Sequence, residues 1–168
     1  MPWTEMVNIR PITLDDAQGF WQVLASVAAE KKYILTIEPP VFEKTLAFVQ
    51  HNVDHKLAQY VALDDDKLVG WADILPLDHP TMSHIGSLGM GILAAYRGQG
   101  IGSKLLKATI DHAWASGLKR LELEVFADNV KAIALYEKHG YIREGLKPFA
   151  RQVDGHYQDI VLMGQYRL

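Results

Sequence analysis

The chain has 168 residues, a mass of 18.9 kDa and a hydrophobic fraction of 49%, which suits one well-buried core and is too short for two comfortable domains. A net charge of −3 and a pI near 6.1 argue against a nucleic-acid partner, which usually meets a basic face. The absence of cysteine excludes disulfides, thiolate metal sites and a cysteine nucleophile. We therefore expect a single domain over residues 1–168.

Membrane association is not expected either. No stretch approaches the roughly 18 consecutive apolar residues of a membrane span. The opening Met-Pro-Trp-Thr-Glu has no basic region followed by an apolar block. We therefore expect a cytoplasmic protein with no membrane partner.

The first half of the chain predicts strands and helices in alternation. A strand at 7–12 is followed by Thr13 and two acids, which are typical of a helix start, and this helix runs to about Lys32. Pro39 and Pro40 break the chain before a second helix over 42–53 with apolar residues at helical spacing. Two strands at 58–63 and 67–75 flank Asp64-Asp65-Asp66 and therefore predict a hairpin.

The second half continues this mixed order. A strand at 84–93 leads into a glycine-rich turn, and a helix over 99–116 ends at Gly117, a typical helix C-cap. The remaining predicted elements are a strand at 119–126, a short helix from Asp128 or Asn129 to His139, and strands at 141–149 and 157–166. The chain therefore predicts a mixed α/β fold with about seven strands and about four helices.

The glycine-rich turn after the strand at 84–93, the fourth predicted strand, is the most informative segment. Gly98, Gly100 and Gly102 remove side chains where backbone N–H groups can converge, just as the long helix begins near Gln99. The positive end of that helix points to the same place. This arrangement predicts an anion site suited to a phosphate or pyrophosphate.

Two common phosphate motifs do not fit. A Walker P-loop ends in Gly-Lys-Ser/Thr, whereas this chain reads Gly102-Ser103-Lys104. A dinucleotide fingerprint requires a third glycine where Ser103 stands, and it occurs in an early βαβ unit rather than past mid-chain.

The residues that do fit are Arg97, Gly100 and Gly102, in the pattern Arg-x-x-Gly-x-Gly, together with residues 129–141, Asn-Val-Lys-Ala-Ile-Ala-Leu-Tyr-Glu-Lys-His-Gly-Tyr. These two segments resemble the paired signatures of the GNAT superfamily of N-acetyltransferases. The resemblance covers roughly residues 7–166. The ending over 145–159 is most similar to bacterial enzymes that acetylate small amines or amino acids.

The resemblance implies a GNAT-like fold with a central, mostly antiparallel sheet, and acetyl-CoA as the acetyl donor with no metal. The backbone of Arg97–Gly102 is expected to bind the pyrophosphate, and the end of the preceding strand is expected to pair with the pantetheine amides. The implied cofactor-binding residues are Met90, Gly91, Ile92, Arg97, Gly98, Gln99, Gly100, Ile101, Gly102, Asn129 and Tyr136.

For proton transfer, the resemblance places Tyr136 beside the sulfur as the general acid for the leaving thiolate. A phenol with a pKa near 10 can donate this proton while remaining neutral at pH 7. The alternative is an aromatic ring that only packs on the core. Asn129 is expected to contact the pantetheine arm or a bridging water, with helix capping as a second, compatible role.

The base is less clearly indicated. An alkylammonium with a pKa near 10.4 loses about 4.6 kcal/mol to become neutral at pH 7, so a base or a water relay is useful. His84, at the start of the strand that leads into the glycine-rich turn, is the best single candidate for the base because the pKa of a histidine lies near neutrality. Where some relatives carry a catalytic glutamate, this chain has Gly86, so water-relayed deprotonation stays open.

Several other side chains have a plainer interpretation beside a functional one. Glu30, Glu38 and Asp73 are candidates to bind a cationic acceptor, and ordinary surface acids are the default. Glu124 could face the active site, although a solvated strand face is the plainer interpretation. The His51–His55 spacing suits a metal only with a third ligand, so a solvated helix face is favoured. The tryptophans are expected in the core or an interface; they are Trp3, Trp21, Trp71 and Trp114.

Two functions stay open at this point. The first is direct acetyl transfer from acetyl-CoA to a small primary amine, with peptide N-termini or antibiotics as other acceptors. The second is a non-catalytic acyl-CoA-binding sensor, which the presence of Tyr136 disfavours. The segment 151–159 is expected to form a hairpin that pairs across a homodimer, as in similar proteins.

Overall fold

A computed structural model describes residues 7–168 as one seven-stranded sheet with helices on both faces. Trp3 lies outside the described residues. The strands are β1 (Val7–Pro11), β2 (Ala58–Asp64), β3 (Lys67–Pro76), β4 (Ile85–Ile92), β5 (Arg120–Phe126), β6 (Ile142–Val153) and β7 (His156–Tyr166). The helices are α1 (Ala17–Ala29), α2 (Phe42–Asp54), α3 (Ile101–Ala115) and α4 (Val130–Lys138). Short 3₁₀ turns precede α1 and α3.

The sheet order is β1-β2-β3-β4-β5-β7-β6. Every neighbouring pair is antiparallel except β4 and β5, which are parallel. The predicted mixed fold with a mostly antiparallel sheet of about seven strands and four helices is therefore confirmed.

Backbone conformation explains where predicted and observed ends differ. The first helix stops at Ala29 rather than near Lys32, because Lys31 has a φ of 57°, which a helix cannot contain. The third helix begins at Ile101 rather than at Gln99, because Gly100 has a φ of 83°. Gly117, at a φ of 96°, ends that helix as predicted.

Each face of the sheet carries its own core. On one face, α1 and α2 cover β2 and β3, where Phe20 and Trp71 meet edge to face with ring centroids 5.4 Å apart. On the other face, α3 and α4 pack against β3, β5 and β7, and Leu105 and Leu106 of α3 are fully buried. Trp71 is a core residue as predicted, with 4% of its surface exposed.

Candidate active site

The strands β4 and β5 separate part-way along their length. They pair over only three positions, from Ile85 opposite Arg120 to Ser87 opposite Glu122, although β4 continues to Ile92 and β5 to Phe126. Beyond Ser87, β4 pairs only with β3, so it presents a free backbone edge to the gap. We call this gap the slot. An extended chain that carries amide groups can hydrogen-bond to such an edge as an added strand does.

Gly86 makes the closed end of the slot possible. A Cβ at this position would lie 2.5 Å from Cγ2 of Ile74 and 2.7 Å from Cδ1 of Leu118, so no larger residue fits without displacing the core. The glycine at position 86 is therefore explained by close packing at this point.

The glycine-rich turn lies at the open end of β4. Gly98 and Gly100 both have positive φ, at 74° and 83°, and a Cβ at Gly98 would meet nothing within 4 Å. Gly100 is the N-cap of α3, so the first N–H groups of this helix have no intrahelical partner and face the turn. Gly102 is needed for packing, because its Cβ would lie 3.3 Å from Ile92 and 3.4 Å from Leu135. The turn fits an anionic phosphate group by its backbone alone.

The Arg97 side chain points away from the turn and holds it in place. Its Nε donates to the carbonyl of Ile92 at 2.9 Å, and its two Nη atoms donate to both carboxylate oxygens of Glu30, Nη1 at 2.8 Å. The guanidinium also stacks on the ring of Tyr33 at 4.4 Å. Glu30 is therefore not a free acid for an acceptor, as the sequence left open, but half of a clamp between α1 and the turn.

We expect Glu30→Gln to raise the KM for acetyl-CoA about fivefold, with little change in kcat. Removing one charge from this partly exposed ion pair weakens the interaction that holds the turn by about 1 kcal/mol. Hydrogen bonding to Arg97 holds the pKa of Glu30 below its usual value, so the clamp is complete at neutral pH and weakens only as acid protonates Glu30. Steady-state kinetics with varied acetyl-CoA measure the effect.

Glu144→Gln provides the matched control for that change. Glu144 makes the same two-pronged contact with Arg120, and the exposed fractions of the two pairs are nearly equal. That pair joins β5 to β6 away from the glycine-rich turn. An equal rise in KM in both variants would contradict the positioning role of Glu30.

Tyr136 lies on α4, on the face of the sheet that α3 and α4 cover. It belongs to the same buried cluster as Leu88 and Met90 of β4 and Val125 of β5, the strands that border the slot. Only 9% of its surface is exposed, and burial raises its pKa to about 12. The phenol therefore stays protonated at neutral pH, as an acid must before it donates.

Asn129 is the N-cap of α4, and its side-chain oxygen accepts a hydrogen bond from the N–H of Ala132 at 3.3 Å. This capping role is the one that the sequence suggested beside a ligand contact. A cleft of about 450 Å³ opens next to it and is lined by Tyr33 after α1 and Gln158 of β7, among others. Asn129 therefore lies where the cleft meets the start of α4.

His84 is exposed and precedes the first residue of β4. Its carbonyl accepts hydrogen bonds from the N–H groups of Lys119 and Arg120, at 2.9 and 3.3 Å, where the strands are still paired. It stands three residues before Ser87, about 10 Å along the strand. His84, the predicted base, therefore lies outside the slot, next to its closed end.

The remaining predicted acids differ in their surroundings. Glu124 is exposed and pairs with Lys147 at 2.6 Å. Glu38 is also exposed. Asp73 is not the ordinary surface acid expected by default, since only 8% of its surface is exposed and burial raises its pKa to about 7, against a smaller opposing effect of the Trp71 side chain.

The His51 and His55 side chains lie on an exposed face of α2 with ring centroids 4.2 Å apart. Within residues 7–168, no three His, Asp or Glu side chains lie close enough together to form a metal site.

No helix within residues 7–168 is long and apolar enough to cross a membrane.

The fold and the slot together agree with what the chain matches among known proteins. Residues 21–141 match the model of the acetyltransferase (GNAT) family. The chain belongs to this family. Its fold, with a parallel pair that separates beside a glycine-rich turn, is that of a GNAT acetyltransferase.

Individual relatives support the same assignment. The chain is 31% identical to an L-amino acid N-acetyltransferase of Escherichia coli, over 77% of this chain and 86% of that protein. It is 33% identical to the N-alpha-acetyltransferase RimI of Mycobacterium tuberculosis, over 90% and 89%. A Salmonella typhimurium acetyltransferase solved with acetyl-CoA shares the fold, with a TM-score of 0.90 and 17% identity over 96% of this chain and 94% of that one.

Proposed function

We propose that this GNAT acetyltransferase moves an acetyl group from acetyl-CoA directly to the primary amine of a small molecule, either an amino acid or a polyamine-like compound. The observation that carries the proposal is the slot between β4 and β5, which opens beside an anion-binding turn. Acetyl-CoA has both features that this arrangement suits, a pyrophosphate and an extended pantetheine arm with two amides. Because acetyl-CoA is an intracellular metabolite, the proposal places the reaction in the cytoplasm.

The proposed donor site uses the backbone along β4 and the turn. The amides of Arg97, Gly98, Gln99, Gly100, Ile101 and Gly102 hold the pyrophosphate, and the free edge at Met90–Ile92 pairs with the pantetheine amides. Asn129 at the start of α4 contacts the arm directly or through water. Tyr136 gives its proton to the leaving thiolate.

The base in this proposal is His84 acting through water. Its exposed position at the closed end of the slot requires at least one water molecule between the imidazole and an amine inside the slot. A water relay without any side chain is the alternative.

Within the enzyme class, a peptide N-terminus is the second candidate acceptor. It is favoured by the 33% identity to an N-alpha-acetyltransferase, which is close to the identity shared with the amino-acid enzyme. Outside the class, an acyl-CoA sensor without catalysis is the alternative.

A free-thiol release assay tests the proposal. Purified protein is incubated with acetyl-CoA and, in separate reactions, amino acids, polyamines, aminoglycosides and short peptides. We expect selective CoA release with one group of small amines. Binding of acetyl-CoA without release in the presence of any amine would favour the sensor, and release with peptides alone would favour the second acceptor.

We also propose that the protein is a homodimer that pairs through the β6–β7 hairpin. The strand β6 lies at the sheet edge and is exposed along nearly its whole length, and large apolar side chains stand out from the hairpin, with Phe149 74% and Tyr157 57% exposed. Exposed apolar groups on a long edge strand are typical of a surface that another chain covers.

Light scattering at micromolar concentration measures the assembly. We expect a mass twice the 18.9 kDa of the chain, and a shift toward the single-chain mass when Phe149 is replaced by lysine. The single-chain mass for the unaltered protein would contradict the dimer.

A further inference from the structure

A buried carboxylate of β3 lies beside β4, one of the two strands that border the slot, on the face opposite to Tyr136. Side chains of a strand alternate between its two faces. Leu88 and Met90 pack in the cluster that contains Tyr136, so Gly89, between them, has its missing side chain on the α1–α2 face. Asp73 of β3 lies directly opposite Gly89 on that face.

Only a glycine separates this carboxylate from the slot. Oδ1 of Asp73 lies 3.2 Å from the position that a Cβ would take at Gly89, closer than most side-chain contacts allow. Gly89 stands two residues beyond Ser87, where the pairing of β4 with β5 ends, so its other side borders the gap. Any larger residue at position 89 would crowd the carboxylate.

The groups that hold Asp73 do not titrate near neutral pH. Gln59 of β2 donates to Oδ2 at 3.4 Å, and Asn52 of α2 donates to Gln59 at 2.8 Å. The Trp71 indole is next to it on the same strand face, and Gly89 faces it from β4. Asp73 therefore has no cationic partner among the described residues, and a cation in the slot would supply one.

We propose that Asp73 binds the ammonium group of the acceptor and takes its proton before acetyl transfer, so that the acceptor is a cationic primary amine. This inference rests on the proposed function. It assigns the two faces of the sheet separate tasks, with the amine on the side of Asp73 and the thiolate on the side of Tyr136. For this step Asp73 takes the place of the exposed His84, which is the base in the function proposed above, and the variants below distinguish the two.

The proton and electron balance follows from these positions. The ammonium gives one proton to the Asp73 carboxylate, and the neutral nitrogen forms a bond to the acetyl carbon. The carbon–sulfur bond breaks, and the thiolate takes a proton from Tyr136. The nitrogen loses its second proton, which restores the Tyr136 hydroxyl, and Asp73 later releases its proton to water.

The variant Asp73→Asn keeps the size and polarity of the side chain but removes its charge and its basicity. We expect kcat/KM for the amine to fall about 100-fold at pH 7, with the acetyl-CoA dissociation constant unchanged. The deficit shrinks as the pH rises toward the pKa of the amine, because the variant depends on amine that is already neutral. In the unaltered protein, kcat/KM for the amine instead rises only up to the pH at which Asp73 is ionised.

Asp16→Asn is the matched control. Asp16 is also a buried aspartate, 9% exposed, but it pairs with Arg10 before α1 and does not border the slot. We expect it to lower the melting temperature without altering the pH profile of kcat/KM. His84→Ala is measured beside it, because the two variants separate Asp73 from His84 as the base.

Folding of the variant is checked by its melting temperature. The raised pKa of Asp73 means that the folded state favours the protonated acid, so its contribution to stability falls as the pH rises from about 4 to about 7. The melting temperature of Asp73→Asn should therefore rise relative to that of the unaltered protein over this pH range. If this variant does not fold, Asp73→Glu, which keeps the charge, is expected to retain more activity than Asp73→Ala.

Three results would overturn the inference. They are an Asp73→Asn pH profile parallel to that of the unaltered protein, loss of the limb near pH 7 in His84→Ala instead, or equal activities in Asp73→Glu and Asp73→Ala. Absence of turnover by the unaltered protein would instead refute the proposed function itself.

Discussion

Tyr136→Phe is expected to slow CoA release by about 10²–10⁴-fold while the dissociation constant for acetyl-CoA stays close to that of the unaltered protein. The change removes one oxygen atom from a ring that is 9% exposed and packed against β4 and β5. Burial raises the pKa of this hydroxyl to about 12, so the full proton-donating population is present at neutral pH. Single-turnover measurements separate the chemical step from acetyl-CoA binding.

Tyr141→Phe is the control for the loss of a buried phenol. Tyr141 packs edge to face against Tyr136 with centroids 6.1 Å apart and is 1% exposed, so the two substitutions remove the same atom from neighbouring rings. We expect near-normal turnover in this variant. Equal rates in the two variants would mean that Tyr136 only packs on the core.

Gly100→Asp is expected to weaken acetyl-CoA binding about 30- to 150-fold relative to Gly100→Asn. Both residues tolerate positive φ and both are good helix N-caps, so the φ of 83° and the start of α3 are preserved in each. They differ by one negative charge, and repulsion from a bound pyrophosphate costs about 2–3 kcal/mol at an effective dielectric constant near 20.

Isothermal titration with acetyl-CoA measures this pair of variants. The Asn variant gives the effect of added volume in the turn, and the difference from Asp gives the effect of charge. We also expect the difference to shrink at high salt, because exposed charges are screened. Equal dissociation constants in the two variants would place the pyrophosphate elsewhere.

Local signals in the sequence account for most of the fold. The Asp64–Asp66 segment does form the turn of the β2–β3 hairpin, with Asp65 at a φ of 51°, and Gly117 ends α3. Such features are set by a few consecutive residues. The order of the strands in the sheet is set by packing between distant segments, so it cannot be predicted from the residue pattern of any one strand or helix.

In the candidate site, too, the features set by a few consecutive residues were predictable and those set by distant residues were not. The glycine-rich turn was predictable because Gly98 and Gly100 are required by their own backbone conformations. The direction of the Arg97 side chain was not, because its partner, Glu30, is 67 residues away in the chain. For Asp73 a signal was present, since a single acid within the apolar run of a central strand has to be buried.

Mass analysis with isotopically labelled acetyl-CoA shows whether the protein transfers an acetyl group directly to a small amine. For the active member of the amine panel, we predict one labelled N-acetylamine for each free CoA released, with Tyr136→Phe lowering both yields together. Retention of acetyl-CoA by the folded protein, with neither free CoA nor acetylated amine formed from any acceptor, would rule out direct acetyl transfer.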